Sequence, residues 1–154
     1  MAGFANRNRL NIKLGAMART VRPVIARTLR RGGLKIENDA AEGIIDPPKT
    51  GRIYPSKHRK GAKHQASAPG EFPAADSGRL HQSITTVTAE NSERAVVIET
   101  AANTPYAEAL ELGTSKMQPR PYMTPSFRRN AEAIKDEVTL AVAQEVRKQA
   151  RRGK

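Results

Sequence analysis

Two long stretches of the chain place apolar residues three or four positions apart, which is the spacing of one face of a helix. In the first stretch, residues 10–46, these positions are Leu14, Met17, Val21, Val24, Ile25, Leu29, Ile36, Ala40, Ile44 and Ile45. We expect the main helix to begin at Thr20, because Thr20 is a suitable N-cap and Pro23 then falls in the first turn. Gly32 and Gly33 should weaken or break it. The pattern predicts one long interrupted helix or two helices in line.

The second long stretch, residues 125–152, has the same periodicity. Its apolar positions are Phe127, Ala131, Ile134, Val138, Ala141, Val142 and Val146. Thr124 and Pro125 are expected to be the N-cap and the first helical residue, and Gly153 is a suitable stop. This stretch predicts one long helix that follows everything else in the chain.

Between the two helices, polar and apolar residues alternate as they do in strands. Residues 84–89 alternate in a way typical of a half-buried strand, and residues 94–100 are rich in β-branched side chains. A polar turn at residues 90–93 connects them, so we expect an antiparallel hairpin. Just before it, Asp76 or Ser77 is expected to cap one short helical turn that runs through Leu80.

A basic segment, residues 47–73, precedes this turn. Short β-like runs at residues 50–54 and 64–68 flank a polar loop, and such a long polar connection is usually functional or mobile. We expect an extended basic hairpin, and its basic side chains are Lys49, Arg52, Lys57, Arg59, Lys60 and Lys63.

The segment from Pro105 to Pro125 combines several turn signals. Residues 106–112 predict a short helix, and Gly113 can take the positive φ that ends it. The prolines at 119, 121 and 125 each fix φ and favour an extended residue before them. The whole chain then reads as one α+β domain, 1–154, with a helical region at 10–46, the hairpin at 47–73, and a sheet plus C-terminal helix at 74–154. We expect a small antiparallel sheet packed by long N-terminal and C-terminal helices, with the basic hairpin as a projecting arm.

Composition narrows the range of partners. The 154 residues are 38% hydrophobic and include no Trp and no Cys, so the core must be lean and disulfides are excluded. A lean core with polar arms favours a protein that completes its burial against copies of itself or a partner. The net charge of +12 favours phosphate, an acidic protein or an anionic membrane as a partner. No apolar run approaches the ~20 residues that span a bilayer.

Catalytic and metal-binding patterns are weak. His58, His64 and His81 lack a typical metal-ligand spacing and no Cys can join them. No nucleophile elbow or phosphate-binding glycine loop is found. Glu108 and Glu111 lie three apart on one helical turn, but plain surface acids, or acids that pair with basic residues of a neighbouring subunit, explain them better than paired catalytic carboxylates. We therefore expect no enzyme activity and no cofactor.

Two blocks of sequence carry a resemblance to a known family. Residues 67–84, SAPGEFPAADSGRLHQSI, resemble a block written PGxPPaxdTGrLxxSI, and residues 106–125, YAEALELGTSKMQPRPYMTP, resemble a block written YAxxxExGTxxmxaRPFlxPA. Both family blocks are those of the head–tail joining, neck or tail-completion proteins of long-tailed bacteriophages, which the chain therefore resembles. The family often has Phe where this chain has Tyr122 and Ala where it has Ser126, and only some members have the hairpin.

The resemblance implies a structural virion protein, made in the host cytoplasm, that forms a ring at the head–tail junction. The ring is expected to be six-fold and to join portal-side connector or head-closure proteins to a tail-terminator or tail-tube protein. The residues expected at subunit or partner contacts are Glu108, Glu111, Thr114, Arg120 and Tyr122. The hairpin would meet an adjacent ring or channel DNA, and Gly78, Gly113, Pro121 and Pro125 would be structural. The alternative is a basic, sequence-nonspecific nucleic-acid-binding module.

Overall fold

The computed structural model describes residues 7–13, 18–46, 49–58 and 60–152, and over these ranges the fold is α+β. This confirms the predicted class. The elements in chain order are β1 (Arg7–Lys13), α1 (Ala18–Ile45), β2 (Ile53–Pro55), β3 (Lys63–Gln65), α2 (Arg79–Gln82), β4 (Ile84–Asn91), β5 (Ala95–Ala102), α3 (Ala107–Leu112) and α4 (Met123–Arg152). The predicted helix stop at Gly153 and the apolar positions Leu14 and Met17 lie outside the described residues.

The main sheet has three antiparallel strands in the order β1, β5, β4. The hairpin of β4 and β5 confirms the prediction, and a register shift between Thr88 and Glu90 interrupts its pairing. Strand β1 corrects the prediction, because residues 10–13 were assigned to the helical region and instead pair with β5, Leu10 opposite Ile98. The period-two pattern of Arg9 to Lys13 is a strand signal, but it is short and strongly basic.

Helix α1 runs without a break through Gly32 and Gly33, contrary to the predicted interruption. A Cβ on Gly33 would lie 2.6 Å from Cγ2 of Thr86 and 2.9 Å from Cγ2 of Ile98, and one on Gly32 would lie 2.8 Å from Ile134. The two glycines therefore let α1 approach the sheet on one side and α4 on the other. Their cost in helix propensity is offset by this close packing.

The start of α1 also differs from the prediction. The helix begins at Ala18 rather than after a Thr20 cap, so Pro23 lies inside the helix, beyond its first turn. Proline removes one intrahelical hydrogen bond. The helix is nonetheless continuous, because its apolar face is held in the core from Val21 onward.

Two apolar clusters make up the described core. The first joins α1, β5 and α4 through Val21, Ile25, Leu29, Ile36, Val96, Ile98, Ile134 and Val138. The second lies at the other end of α1 and contains Ala40, Ile44, Leu80, Ile84, Ala102, Ala107, Tyr122 and Met123. The predicted apolar stripes of both long helices are confirmed at these positions, whereas Ile45, predicted to belong to the first stripe, is 53% exposed. Within the described ranges, no helix has the length and apolar content needed to cross a bilayer.

The basic segment forms a separate two-stranded hairpin, β2 paired with β3, as predicted. The short helix α2 follows, but its N-cap is Gly78, with φ 77°, and no side chain caps it. The predicted N-cap position at Asp76 or Ser77 is therefore wrong, although the Ser77 hydroxyl accepts a 3.4 Å hydrogen bond from the N–H of Arg79, the first helical residue. Asp76 points to the hairpin instead, where its carboxylate accepts a 2.9 Å hydrogen bond from the Ser56 hydroxyl.

Candidate functional site

The chain turns sharply between α3 and α4, and we call this region, residues 106–125, the corner. Its central residue is Glu111, which is 3% exposed. The Glu111 carboxylate accepts hydrogen bonds from the backbone N–H groups of Tyr122, Met123 and Thr124 at 2.8, 3.0 and 2.9 Å. N–H groups at a helix start have no intrahelical acceptor, and negative charge is favoured there by the helix dipole. A side chain of α3 thus caps α4.

This cap corrects the predicted start of α4. The helix begins at Met123, so Thr124 is its second residue and donates to Glu111 rather than acting as the N-cap. Pro125 is the third residue, still in the first turn, where its missing N–H removes no intrahelical bond. The proline-rich sequence indicated the turn correctly, but the capping group lies 12 positions before Met123.

Gly113 has the positive φ that was predicted for it, with φ 77° and ψ −178°. This backbone region is essentially restricted to glycine. A Cβ at this position would also lie 2.8 Å from the carbonyl oxygen of Met117 and 2.9 Å from Cδ of Pro119. The Thr114 N–H donates to the Met117 carbonyl at 2.7 Å and closes the turn that follows.

Tyr122 fills the interior of the corner. It is fully buried in the second apolar cluster, and its hydroxyl has no hydrogen-bond partner among the described residues. Burial, with a smaller contribution from the charge of Glu111, raises the pKa of the Tyr122 phenol far above its ordinary value. The ring contributes apolar packing, while the hydroxyl carries an uncompensated desolvation cost.

The two sequence blocks that carry the family resemblance meet at the corner. The Gly70 N–H donates to the Pro119 carbonyl at 2.9 Å, and Nε of Arg120 donates to the Ser67 carbonyl at 3.2 Å. The first block also supplies Leu80 and Ile84 to the apolar cluster that holds Tyr122. Residues 67–84 and 106–125 therefore form one structural joint.

A cavity of about 350 Å³ lies beside this joint. Its polar lining includes Asp76, Arg79, His81 and Arg120, and Tyr106 forms part of its wall. Nδ1 of His81 is buried and has no hydrogen-bond partner among the described residues. In the described part of the chain, no group of three His, Cys, Asp or Glu side chains is arranged to hold a metal ion.

Glu71 joins the two ends of the hairpin segment at its base. The Glu71 carboxylate accepts bonds from the hydroxyl of Thr50 at 2.5 Å, the N–H of Thr50 at 3.1 Å and the N–H of Ala68 at 2.8 Å. These bonds, the Thr50 hydroxyl above all, lower the pKa of Glu71. Nearer the tip, the Asp76 carboxylate lies 3.8 Å from Nε2 of His58 and 3.9 Å from Nδ1 of His64.

The basic residues predicted on the hairpin occupy different positions. Arg52, Lys57, Lys60 and Lys63 are exposed. Lys49 is half-buried, and its ammonium donates to the Gly43 carbonyl at 2.9 Å. Burial lowers the pKa of Lys49, and the charge of Glu71 opposes that shift. Arg59 lies outside the described residues.

The residues predicted at subunit contacts divide into two groups. Glu108 and Thr114 are exposed, and Arg120 is half-buried with its guanidinium bound to backbone carbonyls of Ser67 and Gln118. Glu111 and Tyr122 are buried and make the corner. The surface available to a partner at the corner therefore includes Glu108 and Thr114. It does not include Glu111 or Tyr122.

Exposed apolar side chains were not singled out from the sequence, because the helical and strand patterns alone do not show which of them lack a covering element. On α3 and the residue before it, Leu112 is 64% exposed and Tyr106 is 42% exposed. On the hairpin, Ile53 and Tyr54 are 57% and 48% exposed. These two regions place apolar surface in solvent beside the exposed predicted contact residues.

Comparison of the chain with protein-family models, with curated proteins and with solved structures finds no match.

Proposed function

We propose that this chain is a structural protein of a tailed-phage virion that forms a ring at the joint between capsid and tail. Its partners there would be further copies of itself, a portal-side connector or head-closure protein, and a tail-terminator or tail-tube protein. The ring would surround the channel through which DNA leaves.

The observation that carries the proposal is the meeting of the two resemblance blocks in one joint. The blocks lie more than 20 residues apart, yet a matched residue of each block contacts the other block: Arg120 donates to the Ser67 carbonyl, and Gly70 donates to the Pro119 carbonyl. Glu111 and Gly113, which match the Glu and Gly of the second block, build the corner. The resemblance therefore concerns residues that act together in the fold.

The exposed apolar residues support self-assembly. Leu112 and Ile53 are each more than half exposed, and an oligomer gains free energy by removing such side chains from water, about 25 cal/mol per Å². A ring is built from heterologous contacts that close on themselves. In the proposed ring, α3 of one subunit with Glu108 and Thr114 faces the hairpin of a neighbouring subunit or ring.

The test is co-expression with the products of the neighbouring genes after nuclease treatment, followed by native mass spectrometry and negative-stain electron microscopy. We expect a closed ring or assembly onto a tail or connector. Leu112→Asp should abolish that assembly with little effect on the monomer's melting temperature. Leu140→Asp is the matched control, because Leu140 is 59% exposed on α4, away from the proposed contact.

Two results would reject the proposal. One is assembly that Leu112→Asp and Leu140→Asp impair equally. The other is a protein that stays monomeric with all of these partners yet binds nucleic acid with strong salt dependence, which would favour the alternative of a nucleic-acid-binding module.

A further inference from the structure

The outer face of α1 carries a row of basic side chains. Arg27, Arg30 and Arg31 are exposed, and Lys35 follows one turn beyond Arg31. Residues three and four apart are neighbours on a helix surface, so these side chains form one patch. With a rise of 1.5 Å per residue, the patch extends about 12 Å along the helix.

The three arginines have no ion-pair partner among the described residues. Two other basic residues of α1 do: Nε of Arg19 lies 3.8 Å from a carboxylate oxygen of Glu93, and Nζ of Lys35 lies 2.5 Å from one of Glu137. Arg31 and Lys35 also line a shallow cavity between α1 and α4, together with Glu137. The centre of the patch therefore presents uncompensated positive charge to solvent.

The arrangement of these charges opposes the stability of the helix. Arg27 and Arg31, and then Arg31 and Lys35, are like charges four positions apart, and each such pair is destabilising. Helix α1 has no acidic residue in its first turn and no basic residue in its last, so its charges do not complement the helix dipole. The patch is therefore not explained by a contribution to the stability of α1.

Phosphate fits this patch better than the other polyanions. The guanidinium fork of arginine matches phosphate oxygens in a bidentate geometry. The apolar face of α1 is buried against β5 and α4. Leu34, 41% exposed, is the one large apolar side chain exposed within the patch, so this helix has no continuous apolar face to insert into a membrane surface. Because burial against β5 and α4 fixes the helix backbone, the arginines can contact a row of phosphates with little loss of conformational entropy.

We propose that the outer face of α1, centred on Arg27, Arg30 and Arg31, is the surface with which this chain binds the phosphate backbone of duplex DNA. The choice of DNA rests on the proposed function, which places the chain around a DNA channel. The contact reads no base sequence. In this proposal the hairpin contacts protein rather than DNA.

The experiment measures binding of the purified full chain to a 30-base-pair duplex of mixed sequence between 50 and 300 mM salt. Three variants each remove three positive charges from exposed side chains: Arg27, Arg30 and Arg31 to Gln on α1; Arg147, Lys148 and Arg151 to Gln on α4; and Lys57, Lys60 and Lys63 to Gln on the hairpin. Thermal melts verify that each variant is folded.

We expect the α1 variant to reduce the slope of log K against log salt by about 3, since each lost phosphate contact removes roughly 0.9. The α4 variant should retain the wild-type slope. Equal losses in all three variants, a loss confined to the hairpin or α4 variant, or no binding by the wild-type chain would overturn the proposal. Equally tight binding to polyglutamate would overturn it too, in favour of an acidic protein partner.

A further variant, Arg27, Arg30 and Arg31 to Lys, retains the charge and removes the guanidinium forks. We expect it to keep the salt slope and to lose affinity several-fold at every salt concentration. Failure of this inference is distinct from failure of the proposed function, because ring assembly by the α1 variants is followed separately by electron microscopy. A ring that forms normally without DNA affinity rejects the DNA surface alone.

Discussion

Glu111 and Glu71 perform the same task in two regions of the molecule. Each carboxylate accepts three hydrogen bonds and joins segments that are not adjacent in sequence, Glu111 at the corner and Glu71 at the base of the hairpin. They differ in surroundings. Glu111 is 3% exposed beside a fully buried tyrosine, whereas Glu71 is partly exposed and its bonds with Thr50 lie at the surface.

The difference shows why an equal number of hydrogen bonds does not mean equal stabilisation. If Glu71 is removed, water can satisfy the released donors. If Glu111 is removed, buried N–H groups at the start of α4 lose their acceptor and retain their desolvation cost. We therefore expect the corner to be part of the globally cooperative fold and the hairpin base to open locally.

The largest effect is expected from Glu111→Ala. Loss of the carboxylate leaves three backbone donors without an acceptor and should lower the free energy of unfolding by roughly 3–5 kcal/mol. Urea denaturation followed by circular dichroism measures this. Glu108→Ala is the control, because Glu108 is exposed on the same helix, and it should change stability by less than about 0.5 kcal/mol. Similar losses in the two variants would show that Glu111 is not the cap of α4.

Gly113→Val is expected to have the next largest effect. A β-branched residue tolerates positive φ poorly, and its Cβ would lie 2.8 Å from the Met117 carbonyl oxygen, so we expect a loss of roughly 2–4 kcal/mol. Gly70→Val is the comparison that separates the cost of a positive φ from the cost of the steric clash. Gly70, next to Glu71, has φ 81° but open space around it. Gly70→Val should therefore lower the free energy of unfolding by roughly 1–2 kcal/mol. Equal melting temperatures for the two variants would contradict the role of the close approach.

Tyr122→Phe should have a small effect on stability, opposite in sign to the effects of Glu111→Ala and Gly113→Val. It removes a buried hydroxyl that has no partner among the described residues while retaining the ring, so stability should be unchanged or increased by up to about 1 kcal/mol. Tyr106→Phe, at a 42% exposed site, should be neutral. A clear loss of stability in Tyr122→Phe would mean that the hydroxyl has a bonding partner.

The smallest effect concerns pH and the hairpin base. The pKa of Glu71 is lowered from its ordinary value of 4.5, so Glu71 stabilises the fold above that pH, and the contribution is lost as pH falls through the lowered pKa. Thr50→Val removes the hydroxyl bond, the largest cause of the shift, and should raise the Glu71 pKa toward the ordinary value. Titration of the Glu71 carboxyl carbon by NMR measures this, and an unchanged pKa in Thr50→Val would contradict the assignment.

The sequence predicted the elements whose signals are local. The stripe of α4 and the hairpin of β4 and β5 follow from periodicity within each segment. The role of Gly33 could not be predicted in this way, since it depends on Thr86 and Ile98, more than 50 positions later. The same holds for Glu111, which looked like a surface acid because its partners lie in the next helix. At the joint, the glycines and prolines indicated turns but not which polar groups would meet there.

The contacts of α1 also bear on how the chain folds during synthesis. Gly33 bonds to Thr100, Asp39 to Asn130 and Lys35 to Glu137, over separations of 67, 91 and 102 residues. High contact order of this kind slows folding, and the apolar side of the first helix is covered only in part, by β5, until the ribosome has made α4. A chaperone that shields this side would raise the yield of native protein.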